Sequence, residues 1–492
     1  MEIIDQDLQS VQAVRCLIRR AREAQRELAA FSQTQIDAIV QAIAEAGEKN
    51  AERLGRMAQE ETGFGRPEDK TVKNRFASRT VYEAIRDMKT VGILREDTEK
   101  KILEIGVPVG VVAALIPSTN PTSTVIYKAQ IALKAGNAIV FSPHPGAKAS
   151  ITEAARVVRE AAESAGCPAG AIGCMELLTM ESTAELMKKA DLILATGSSA
   201  MVKAAYSSGT PAIGVGPGNG PSFIERSADI PLAIKRILDS KTFDNGTICA
   251  SEQSIVTEEC ICDAVLDELT RQGAYVLSPE EKKKVAAILM RANGTMNPRI
   301  VGKTPQYIAT LAGIRVPEDA RVLVGCETEV GHDVPFSREK LCPVLAFYVE
   351  ADWKSACDTC IRILENEGAG HTMGIHSQNG QIIREFALKK PVSRFLVNTP
   401  GSLGGIGATT NLFPALTLGC GAVGGSSSAD NISPMHLLNV RRMAYGARER
   451  EDVTGGSDAV SPVSASTAAA PAGEEELMQA VLARVLQRMN LN

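Results

Sequence analysis

The segments Val111-Val-Ala-Ala-Leu-Ile116 and Ala138-Ile-Val-Phe141 are short apolar runs, and Tyr127–Lys134 between them repeats apolar residues at helical spacing. Gly136 follows the helical stretch, where a left-handed glycine commonly ends a helix. A buried strand, a helix and a second buried strand form a βαβ unit, which indicates a parallel sheet. In such sheets ligands bind beyond the carboxyl ends of the strands.

The same alternation extends to both sides of this unit. The first 90 residues are rich in Ala, Glu, Arg and Gln, with apolar residues three or four apart, and predict helices. In the first sheet we predict strands at Met175–Leu178, Leu192–Ala195 and Ala212–Val215, and helices at Lys148–Ala165, Thr183–Ala190 and Ala200–Tyr206. In a second α/β region, from about residue 231, we predict helices at Ala264–Thr270, Pro279–Arg291 and Ser355–Glu365, and strands at Val344–Val349 and Arg394–Val397.

Composition and charge narrow the class of protein. Of 492 residues, 44% are hydrophobic but only 4% aromatic, so a sizeable core must be built mainly from aliphatic side chains. The 53 Lys and Arg against 58 Asp and Glu give a net charge of −5, which argues against nucleic acid or an anionic membrane as the main partner. No stretch approaches the roughly 20 apolar residues of a membrane-spanning helix. The acidic start, MEIIDQDLQS, has no apolar signal segment, so we expect a cytoplasmic protein.

The composition changes sharply at Val453. Residues 453–473 contain mainly Ser, Thr, Ala, Gly and Pro, with a single charge at Asp458, and predict a flexible linker. Residues 474–492 repeat apolar side chains at helical spacing, with acidic residues first and arginines later, and predict a short amphipathic helix. A lone helix of this length is marginal in water, so we expect it to dock on a partner.

The eleven cysteines include a candidate nucleophile. Their number is odd, so at least one lacks an intramolecular partner, and without an export signal most are expected to be reduced. Cys249 lies in Lys241–Gln253 (KTFDNGTICASEQ), after a glycine-containing turn at the start of the second α/β region. A thiolate there would be able to attack an electrophilic carbon. The alternative is a small buried apolar side chain, which is common for free cysteine.

Two other motifs are weaker. Cys357-Asp-Thr-Cys360 is a CxxC pair, but it lies in a helical pattern without a second pair, and the chain has only five histidines. A structural zinc site needs four ligands, so no metal site is predicted. Gly419-Cys-Gly-Ala-Val-Gly424 fits the GxGxxG pattern, but no helical pattern follows it, so a glycine-rich turn is favoured over a dinucleotide site.

Eight ordered motifs together resemble the aldehyde dehydrogenase superfamily, and within it the CoA-acylating members packaged in bacterial microcompartments. The resemblance covers about residues 1–450. The motifs are Ile116-Pro-Ser-Thr-Asn120-Pro, Phe141-Ser-Pro-His-Pro145, Ala195-Thr-Gly-Ser-Ser199, Gly214-Val-Gly-Pro-Gly-Asn219, Lys241–Gln253, Glu339-Lys-Leu-Cys-Pro343, Glu367-Gly-Ala-Gly-His371-Thr and Thr417-Leu-Gly-Cys-Gly421.

The resemblance implies a fold and a division into domains. We expect an α/β aldehyde dehydrogenase-like fold, with a Rossmann-type parallel-sheet cofactor domain and a second α/β catalytic domain. Residues 1–230 would hold the N-terminal helices and the NAD-binding domain, completed by residues 420–450. Residues 231–419 would form the catalytic domain that carries the thiol. Oligomerisation as a homodimer or homotetramer is expected from the family.

The resemblance also implies roles for three catalytic residues. Cys249 would attack the aldehyde to give a thiohemiacetal, whose oxyanion needs hydrogen-bond donors aimed at it. The side-chain amide of Asn120 and the backbone N–H of Cys249 would be those donors, although by itself Asn120 reads as a turn residue before Pro121. Transfer of hydride to the nicotinamide would leave a thioester on Cys249. His371 matches a histidine of the acylating members and is the candidate base for the CoA thiol; a structural histidine in a loop is the alternative.

The residue at position 215 separates the expected reaction from its closest alternative. Hydrolytic members of the superfamily place a general-base glutamate at the position that matches Val215, and valine cannot accept a proton. The sequence therefore agrees with the acylating pattern, in which CoA resolves the thioester. The alternatives are a hydrolytic aldehyde dehydrogenase, an acyl-phosphate reductase of the same fold, and a non-catalytic microcompartment scaffold. Acetaldehyde or propionaldehyde is the expected substrate.

The cofactor contacts follow from the same motifs. Glu339 matches the glutamate that holds the nicotinamide ribose, and Gly216 belongs to the Gly214–Asn219 motif. Three residues open a helix after a strand, where N–H groups face a phosphate: Thr196, Gly197 and Ser198. Three others match the adenosine-side segment: Ser142, Pro143 and His144. NAD is expected from the habit of the family, with NADP as the alternative, and CoA is the co-substrate.

The tail has its own resemblance. A polar linker followed by a short amphipathic helix is similar to the encapsulation peptide of microcompartment cargo enzymes. The apolar stripe of residues 474–492 would bind a shell or co-cargo protein, and the enzyme would then lie inside a bacterial microcompartment. Self-association and membrane-surface binding are the alternatives. The mixed charges of the polar face disfavour an anionic lipid surface.

Overall fold

The computed structural model describes residues 5–454. The chain up to Met443 forms one compact unit, and from Ala444 it belongs to a second unit, of which a short helix at Arg450–Thr454 is described. Val453 and Thr454 are the only described residues of the predicted linker, and they belong to that helix. The predicted docking helix at residues 474–492 lies outside the described residues.

Five helices come first in the described chain. They are α1 (Gln6–Leu28), α2 (Gln33–Lys49), α3 (Ala51–Thr62), α4 (Pro67–Arg75) and α5 (Val81–Ile85). A reciprocal pair of hydrogen bonds between Ser32 and Gln35 caps α2, and left-handed Gly63 ends α3. Apolar residues at helical spacing are buried, as at Ile36 and Ile43, so the helical prediction for the first 90 residues is confirmed.

A five-stranded parallel sheet follows a small antiparallel sheet. The antiparallel sheet pairs β1 (Gly92–Asp97) with β2 (Ile102–Pro108) and places β15 (Leu438–Ala444) on the other side of β2. The parallel sheet and its helices are β3 (Val111–Leu115), α6 (Pro121–Lys134), β4 (Ala138–Ser142), α7 (Lys148–Ser164), β5 (Ile172–Cys174), α8 (Met180–Lys189), β6 (Leu192–Thr196), α9 (Ser199–Ser207) and β7 (Ala212–Val215). Its strand order is β5-β4-β3-β6-β7. The order reverses between β3 and β6, which is where ligands bind in open α/β sheets.

The strand β5 is the one incorrect prediction in this sheet. It was expected at Met175–Leu178 but lies at Ile172–Cys174, where Ile172 is in register with Ile139. The three buried residues of the real strand include a glycine and give a weak apolar signal. The more apolar sequence after it leaves the sheet, and Leu177 is 37% exposed. The other strands and helices predicted around this sheet are confirmed, with shifts of a few residues at their ends.

A seven-stranded parallel sheet forms the rest of the unit. Its elements are β8 (Gly220–Ile224), α10 (Ile230–Thr242), β9 (Glu252–Glu258), α11 (Cys262–Arg271), β10 (Ala274–Val276), α12 (Pro279–Leu289), α13 (Pro305–Ala312), β11 (Val322–Cys326), β12 (Val344–Glu350), α14 (Trp353–Asn366), β13 (Gly370–His376), α15 (Gly380–Lys389), β14 (Val392–Val397) and α16 (Gly401–Gly405). The strand order is β10-β11-β12-β9-β8-β13-β14. Of these seven strands, only β12 and β14 were predicted from the sequence. Strands such as β9 (EQSIVTE) are polar in sequence yet wholly buried, which hides them from a hydrophobicity pattern.

The point at which the chain leaves the first large sheet and enters the second can be compared with the expected domain boundary. The chain enters the seven-stranded sheet at Gly220, before the expected boundary at residue 230. Near the end of the unit, Leu418, Ile432 and Leu437 are buried in the same core cluster as the five-stranded sheet. The division at residue 230, with completion of the first domain by residues 420–450, stays a prediction. No helix among residues 5–454 combines the length and the apolar character that crossing a bilayer requires.

Candidate active site around Cys249

The expected cofactor residues lie at the carboxyl edge of the five-stranded sheet. Ser142 ends β4, Thr196 ends β6, and Gly216 directly follows β7. Asn120 follows β3, so it and Thr196 flank the point where the strand order reverses. Lys128 fixes this point, because its ammonium donates to the backbone oxygens of Leu115 and Leu194, both at 2.9 Å.

The groups at this edge suit a dinucleotide. The Ser198 side chain caps α9 and accepts a hydrogen bond from Met201 N, and the first residues of α9 are exposed. Exposed N–H groups at a helix N-terminus favour a phosphate. A Cβ added at Gly216 would meet no atom within 4 Å, so the backbone there borders open space. An open glycine, a free helix N-terminus and the carboxyl group of Glu339 fit the phosphates and ribose hydroxyls of NAD.

The segment that the motif assigns to the adenosine side of the cofactor, residues 142–144, is held by local hydrogen bonds. His144 Nδ1 accepts from Gly146 N at 3.0 Å, and partial burial lowers the pKa of His144. The carboxylate of Glu61 accepts from the N–H groups of Ala149 and Ser150, both at 2.7 Å. Glu61 therefore occupies the N-terminus of α7, beside the segment that the motif assigns to adenosine. The sequence did not reveal this carboxylate, because it lies on α3.

Cys249 lies in a loop with an unusual backbone. Asp244, Asn245 and Gly246 have φ values of +48°, +51° and +76°, three consecutive left-handed residues. Asp and Asn tolerate this conformation better than most residues, and Gly adopts it freely. The turn places Cys249 between α10 and β9, with its side chain half-buried.

The backbone of Cys249, the ring of His371 and the carboxyl group of Glu339 come together at Gly218. Gly218 N donates to Glu339 Oε1 at 2.8 Å. A Cβ added at Gly218 would lie 2.0 Å from the backbone oxygen of Cys249 and 3.3 Å from His371 Cε1. Only a glycine lets these three groups approach one another here. The Gly214–Asn219 motif was noticed in the sequence, but Gly216 and not Gly218 was assigned to the site.

The carboxyl group of Glu339 is the strongest charged neighbour of Cys249. Burial and, to a smaller extent, Glu339 together raise the pKa of the Cys249 thiol to about 12, and Arg394 opposes both effects. Burial likewise raises the pKa of Glu339 to about 8, and Glu367 adds to the effect. Burial therefore favours the neutral forms of both the Cys249 thiol and the Glu339 carboxyl group.

His371 is a buried, uncharged base. Its Nδ1 lies 2.9 Å from Thr372 Oγ1, and its Nε2 has no hydrogen-bond partner. Burial lowers the pKa of His371 well below 6.5, and Arg394 lowers it further. Arg394 is itself buried and donates to the backbone oxygen of Gly419 at 2.6 Å. In the tautomer whose Nδ1–H donates to Thr372 Oγ1, the unpartnered Nε2 is able to accept a proton.

Asn120 is tied to a buried cluster that the sequence did not reveal. Its Oδ1 accepts from Lys73 Nζ at 2.6 Å, and its Nδ2 donates to the backbone oxygen of Thr247 at 3.3 Å. Lys73 also donates to Asp244, and Lys70 Nζ lies 3.0 Å from the same carboxylate. The two lysines lie on α4, for which the sequence predicted only a helix.

The position that hydrolytic relatives give to a base is apolar here. Val215 is buried at the end of β7, and it offers no proton acceptor. Glu225, the next glutamate in sequence, accepts hydrogen bonds from Ser227 and Ser377. It is therefore engaged at the far end of β8.

The two weaker motifs are structural in the described chain. Cys357 and Cys360 are buried on α14, and Lys390 donates to Cys357 Sγ. The Gly419–Gly424 stretch forms a turn with one short 3-10 segment and no following helix. All eleven cysteines are free thiols. No group of three or more His, Cys, Asp or Glu within residues 5–454 is arranged to hold a metal ion.

The contrast between two nearby glycines gives a stability prediction. Gly218→Ala drives a Cβ into the backbone oxygen of Cys249, so we expect the free energy of unfolding to fall by about 1–3 kcal/mol, as for other overpacked sites. A Cβ at position 216 borders open space, so Gly216→Ala should change the free energy of unfolding by less than about 0.5 kcal/mol. Urea unfolding of both variants measures the difference. Equal stability of the two would show that the loop of Cys249 moves freely.

Comparisons with known proteins identify the family of this chain. A family model described as the aldehyde dehydrogenase family matches residues 2–326. The bifunctional aldehyde-alcohol dehydrogenase AdhE of Escherichia coli K12 is 45% identical over 445 residues, which cover 89% of this chain and 50% of that protein. The chain thus spans about half the length of this relative. The succinate-semialdehyde dehydrogenase (acetylating) of Clostridium kluyveri is 37% identical over 437 residues, which cover 89% of this chain and 96% of that protein.

Two solved structures are similar over nearly their whole length. A probable aldehyde dehydrogenase from Listeria monocytogenes EGD-e is 64% identical with a TM-score of 0.90, covering 91% of this chain and 100% of that one. An acetylating aldehyde dehydrogenase from Geobacillus thermoglucosidasius is 54% identical with a TM-score of 0.90, covering 91% and 99%.

More distant structures carry informative ligands and origins. A propionaldehyde dehydrogenase from the fucose utilisation bacterial microcompartment of Clostridium phytofermentans is 28% identical with a TM-score of 0.79, covering 87% of this chain and 96% of that one. A Rhodopseudomonas palustris propionaldehyde dehydrogenase, with bound CoA and an acylated cysteine, is 27% identical with a TM-score of 0.79, covering 88% and 97%. Together with the family model, these similarities show that the chain is an α/β protein that belongs to the aldehyde dehydrogenase family.

Proposed function

We propose that this chain oxidises a short-chain aldehyde with NAD⁺ and transfers the acyl group to CoA. The observation that carries the proposal is the meeting of Cys249, His371 and Glu339 at Gly218, with apolar Val215 where hydrolytic relatives have a glutamate. Acetylating activity in the name of the Geobacillus relative, and bound CoA with an acylated cysteine in the Rhodopseudomonas structure, support it. Acetaldehyde and propionaldehyde are the proposed substrates.

The first half of the reaction belongs to Cys249 and Asn120. Cys249 loses its proton to solvent, and its thiolate attacks the aldehyde carbon: a C–S bond forms as the C=O π bond opens and places negative charge on the aldehyde oxygen. Asn120 Nδ2 and the backbone N–H of Cys249 donate to that oxygen. NAD⁺, when bound, supplies the oxidation by accepting hydride from the carbon, which leaves a thioester on Cys249. Glu339, Gly216 and the N-terminus of α9 would hold the ribose and phosphates.

The second half of the reaction belongs to His371. Because its imidazole is neutral and Nε2 has no partner, it is able to accept the proton of the CoA thiol. The CoA thiolate attacks the thioester carbon, the bond to Cys249 breaks, and acyl-CoA leaves. Val215 does not activate water, so this transfer outruns hydrolysis. His371 is the proposed base of this half.

The proposed reaction is tested by NADH formation with and without CoA. Acetaldehyde, propionaldehyde and butyraldehyde are assayed at saturating NAD⁺, and each is repeated with NADP⁺. We expect steady NADH formation only when CoA is present, since the thioester has no other rapid acceptor. Equal rates without CoA would favour a hydrolytic enzyme. No turnover under any of these conditions would favour a non-catalytic scaffold.

We further propose that the enzyme works as a homo-oligomer, a dimer or a tetramer, inside a bacterial microcompartment. The amphipathic pattern of residues 474–492 and the microcompartment origin of the Clostridium phytofermentans relative support the location. Deletion of residues 474–492 should leave solution kinetics nearly unchanged and abolish co-sedimentation with shells. Persistent co-sedimentation of the truncated protein would place the targeting signal elsewhere.

A further inference from the structure

Lys73 is a buried cation in direct contact with the predicted oxyanion donor. Only 2% of its surface is exposed, and its ammonium has three N–H groups. One is directed to Asn120 Oδ1 at 2.6 Å, one to Asp244 Oδ2, and one to Thr247 Oγ1 at 3.0 Å. All three donors of Lys73 are therefore used, and each acceptor lies in a loop beside Cys249.

The contact fixes which way the Asn120 amide faces. An ammonium group only donates, so the amide atom in front of Lys73 is the oxygen, and the NH₂ group faces the other way. There Nδ2 makes two long contacts, 3.2 Å to Thr119 Oγ1 and 3.3 Å to the backbone oxygen of Thr247. Thr247 is two residues before Cys249. A negatively charged oxygen formed next to Cys249 would replace one of these weak partners.

We propose that Lys73 is a positioning residue that holds the Asn120 amide with its NH₂ group towards Cys249 and thereby prepares it to stabilise the oxyanion. The inference rests on the proposed function only in that Asn120 donates to an oxyanion on the carbon bound to Cys249. The ammonium also draws charge from the amide oxygen, which strengthens the N–H groups as donors.

The surrounding charges keep Lys73 in its protonated form near neutrality. Burial lowers the pKa of Lys73 to about 8, and Asp244 opposes that effect. Burial raises the pKa of Asp244, but Lys73 and Lys70 outweigh it and leave the pKa below its usual value. Experiments at pH 7 therefore act on a charged Lys73.

Lys70 provides a matched control. It lies on the same helix, is as buried as Lys73, and donates to the same Asp244 oxygen at 3.0 Å. Its other contact is the backbone oxygen of Thr119, not the Asn120 side chain. Lys70→Met and Lys73→Met each remove one buried cation from Asp244, and only the second releases the Asn120 amide.

The test measures acylation of Cys249 by p-nitrophenyl acetate, without NAD⁺ or CoA. The thiolate attacks the ester carbonyl through a tetrahedral oxyanion, the C–S bond forms, and the bond to p-nitrophenolate breaks. Removing an oxyanion donor typically costs about 10²–10³ in rate. We expect Lys73→Met to lower the rate constant of the single p-nitrophenolate burst about 30–100-fold, with little change in the ester concentration that gives half the maximal rate, and Lys70→Met to lower it less than about fivefold.

A double-mutant cycle with Asn120→Ala identifies the route of the effect. If Lys73 acts through Asn120, Lys73→Met in the Asn120→Ala background changes the rate less than about twofold. Lys73→Arg, which keeps a cation beside Asp244, enters the same cycle if the methionine variant does not fold. Equal losses from Lys70→Met and Lys73→Met, or losses that multiply in the cycle, would overturn the inference.

The wild-type enzyme separates this inference from the proposed reaction. No release of p-nitrophenolate by the wild type would mean that no oxyanion site exists beside Cys249, and the inference would fail. Release that depends on Lys73 and Asn120, without CoA-dependent NADH formation, would support the inference and contradict the proposed reaction.

Discussion

Cys249→Ala is expected to lower kcat/KM for aldehyde oxidation by at least about 10⁴, because removal of a covalent nucleophile leaves only binding and oxyanion stabilisation. Alanine fills the half-buried position without adding a polar group, so the fold should persist. NADH formation at saturating NAD⁺ and CoA measures the loss. Binding of NADH, followed by its fluorescence, should be retained.

Cys360→Ala is the control for loss of a buried thiol. Cys360 is fully buried on α14, and Cys360→Ala is expected to keep catalytic activity while losing some stability. A Cys249→Ala variant with more than about a tenth of the wild-type activity would place the nucleophile on another residue. The left-handed turn at Asp244–Gly246 would then have no role in presenting a nucleophile.

His371→Ala is expected to slow CoA-dependent turnover by about 10²–10⁴, the usual range for loss of a general base. The first NADH released per active site, before CoA acts, should form at close to the wild-type rate, because His371 serves the transfer to CoA. Rapid mixing with and without CoA separates the two phases. Since the pKa of His371 lies well below 6.5, its base form is present throughout the range from pH 6.5 to 8. The rate of transfer should therefore show no acidic limb from this residue there.

His376→Ala tests whether a merely structural histidine gives the same result. His376 is on the same strand, β13, is 1% exposed, and has two ring nitrogens without partners. Burial lowers the pKa of His376 to about 4, so it too is neutral. It should affect stability and leave the transfer to CoA intact. Equal effects of the two substitutions on the transfer would assign His371 a packing role.

The sequence predicted the first sheet better than the second. The runs at Val111–Leu115 and Ala138–Ser142 are apolar because both faces of a central parallel strand are covered. The strands β9 and β13 are equally buried but carry Glu, Gln, Ser, His and Thr, some of which, such as Gln253, form hydrogen bonds with residues distant in sequence. Hydrophobic periodicity does not detect a buried polar strand, since its hydrogen bonds are set by tertiary structure.

The candidate site, like the fold, was predicted from the sequence only in part. Cys249, Asn120, His371 and Glu339 were named from local motifs, and the structure brings Cys249, His371 and Glu339 together at Gly218. Their roles in catalysis and cofactor binding stay predictions. The residues that arrange them were missed because nothing local marks them as buried.

Lys70 and Lys73 show why the second layer of the site was missed. Neither lysine was assigned to the site from the sequence, because their partner Asp244 lies 174 and 171 residues further along the chain. A buried cluster of two cations and one carboxylate adds little stability, because desolvation offsets the attraction. The contact of Lys73 with Asn120 agrees with the proposed role of Lys73 in arranging the site. The one available sequence signal is Asp244-Asn245-Gly246, three residue types that favour left-handed turns.

The acyl group on Cys249 can be observed directly by mass spectrometry after a single turnover. Enzyme, propionaldehyde and NAD⁺ are mixed without CoA, and the peptide that contains Cys249 is analysed before and after CoA is added. We predict one propionyl group on Cys249 that survives in buffer and disappears, with formation of propionyl-CoA, when CoA is added. NADH formation without an acyl group on Cys249, or an acyl group that is lost equally fast without CoA, would contradict the proposed reaction.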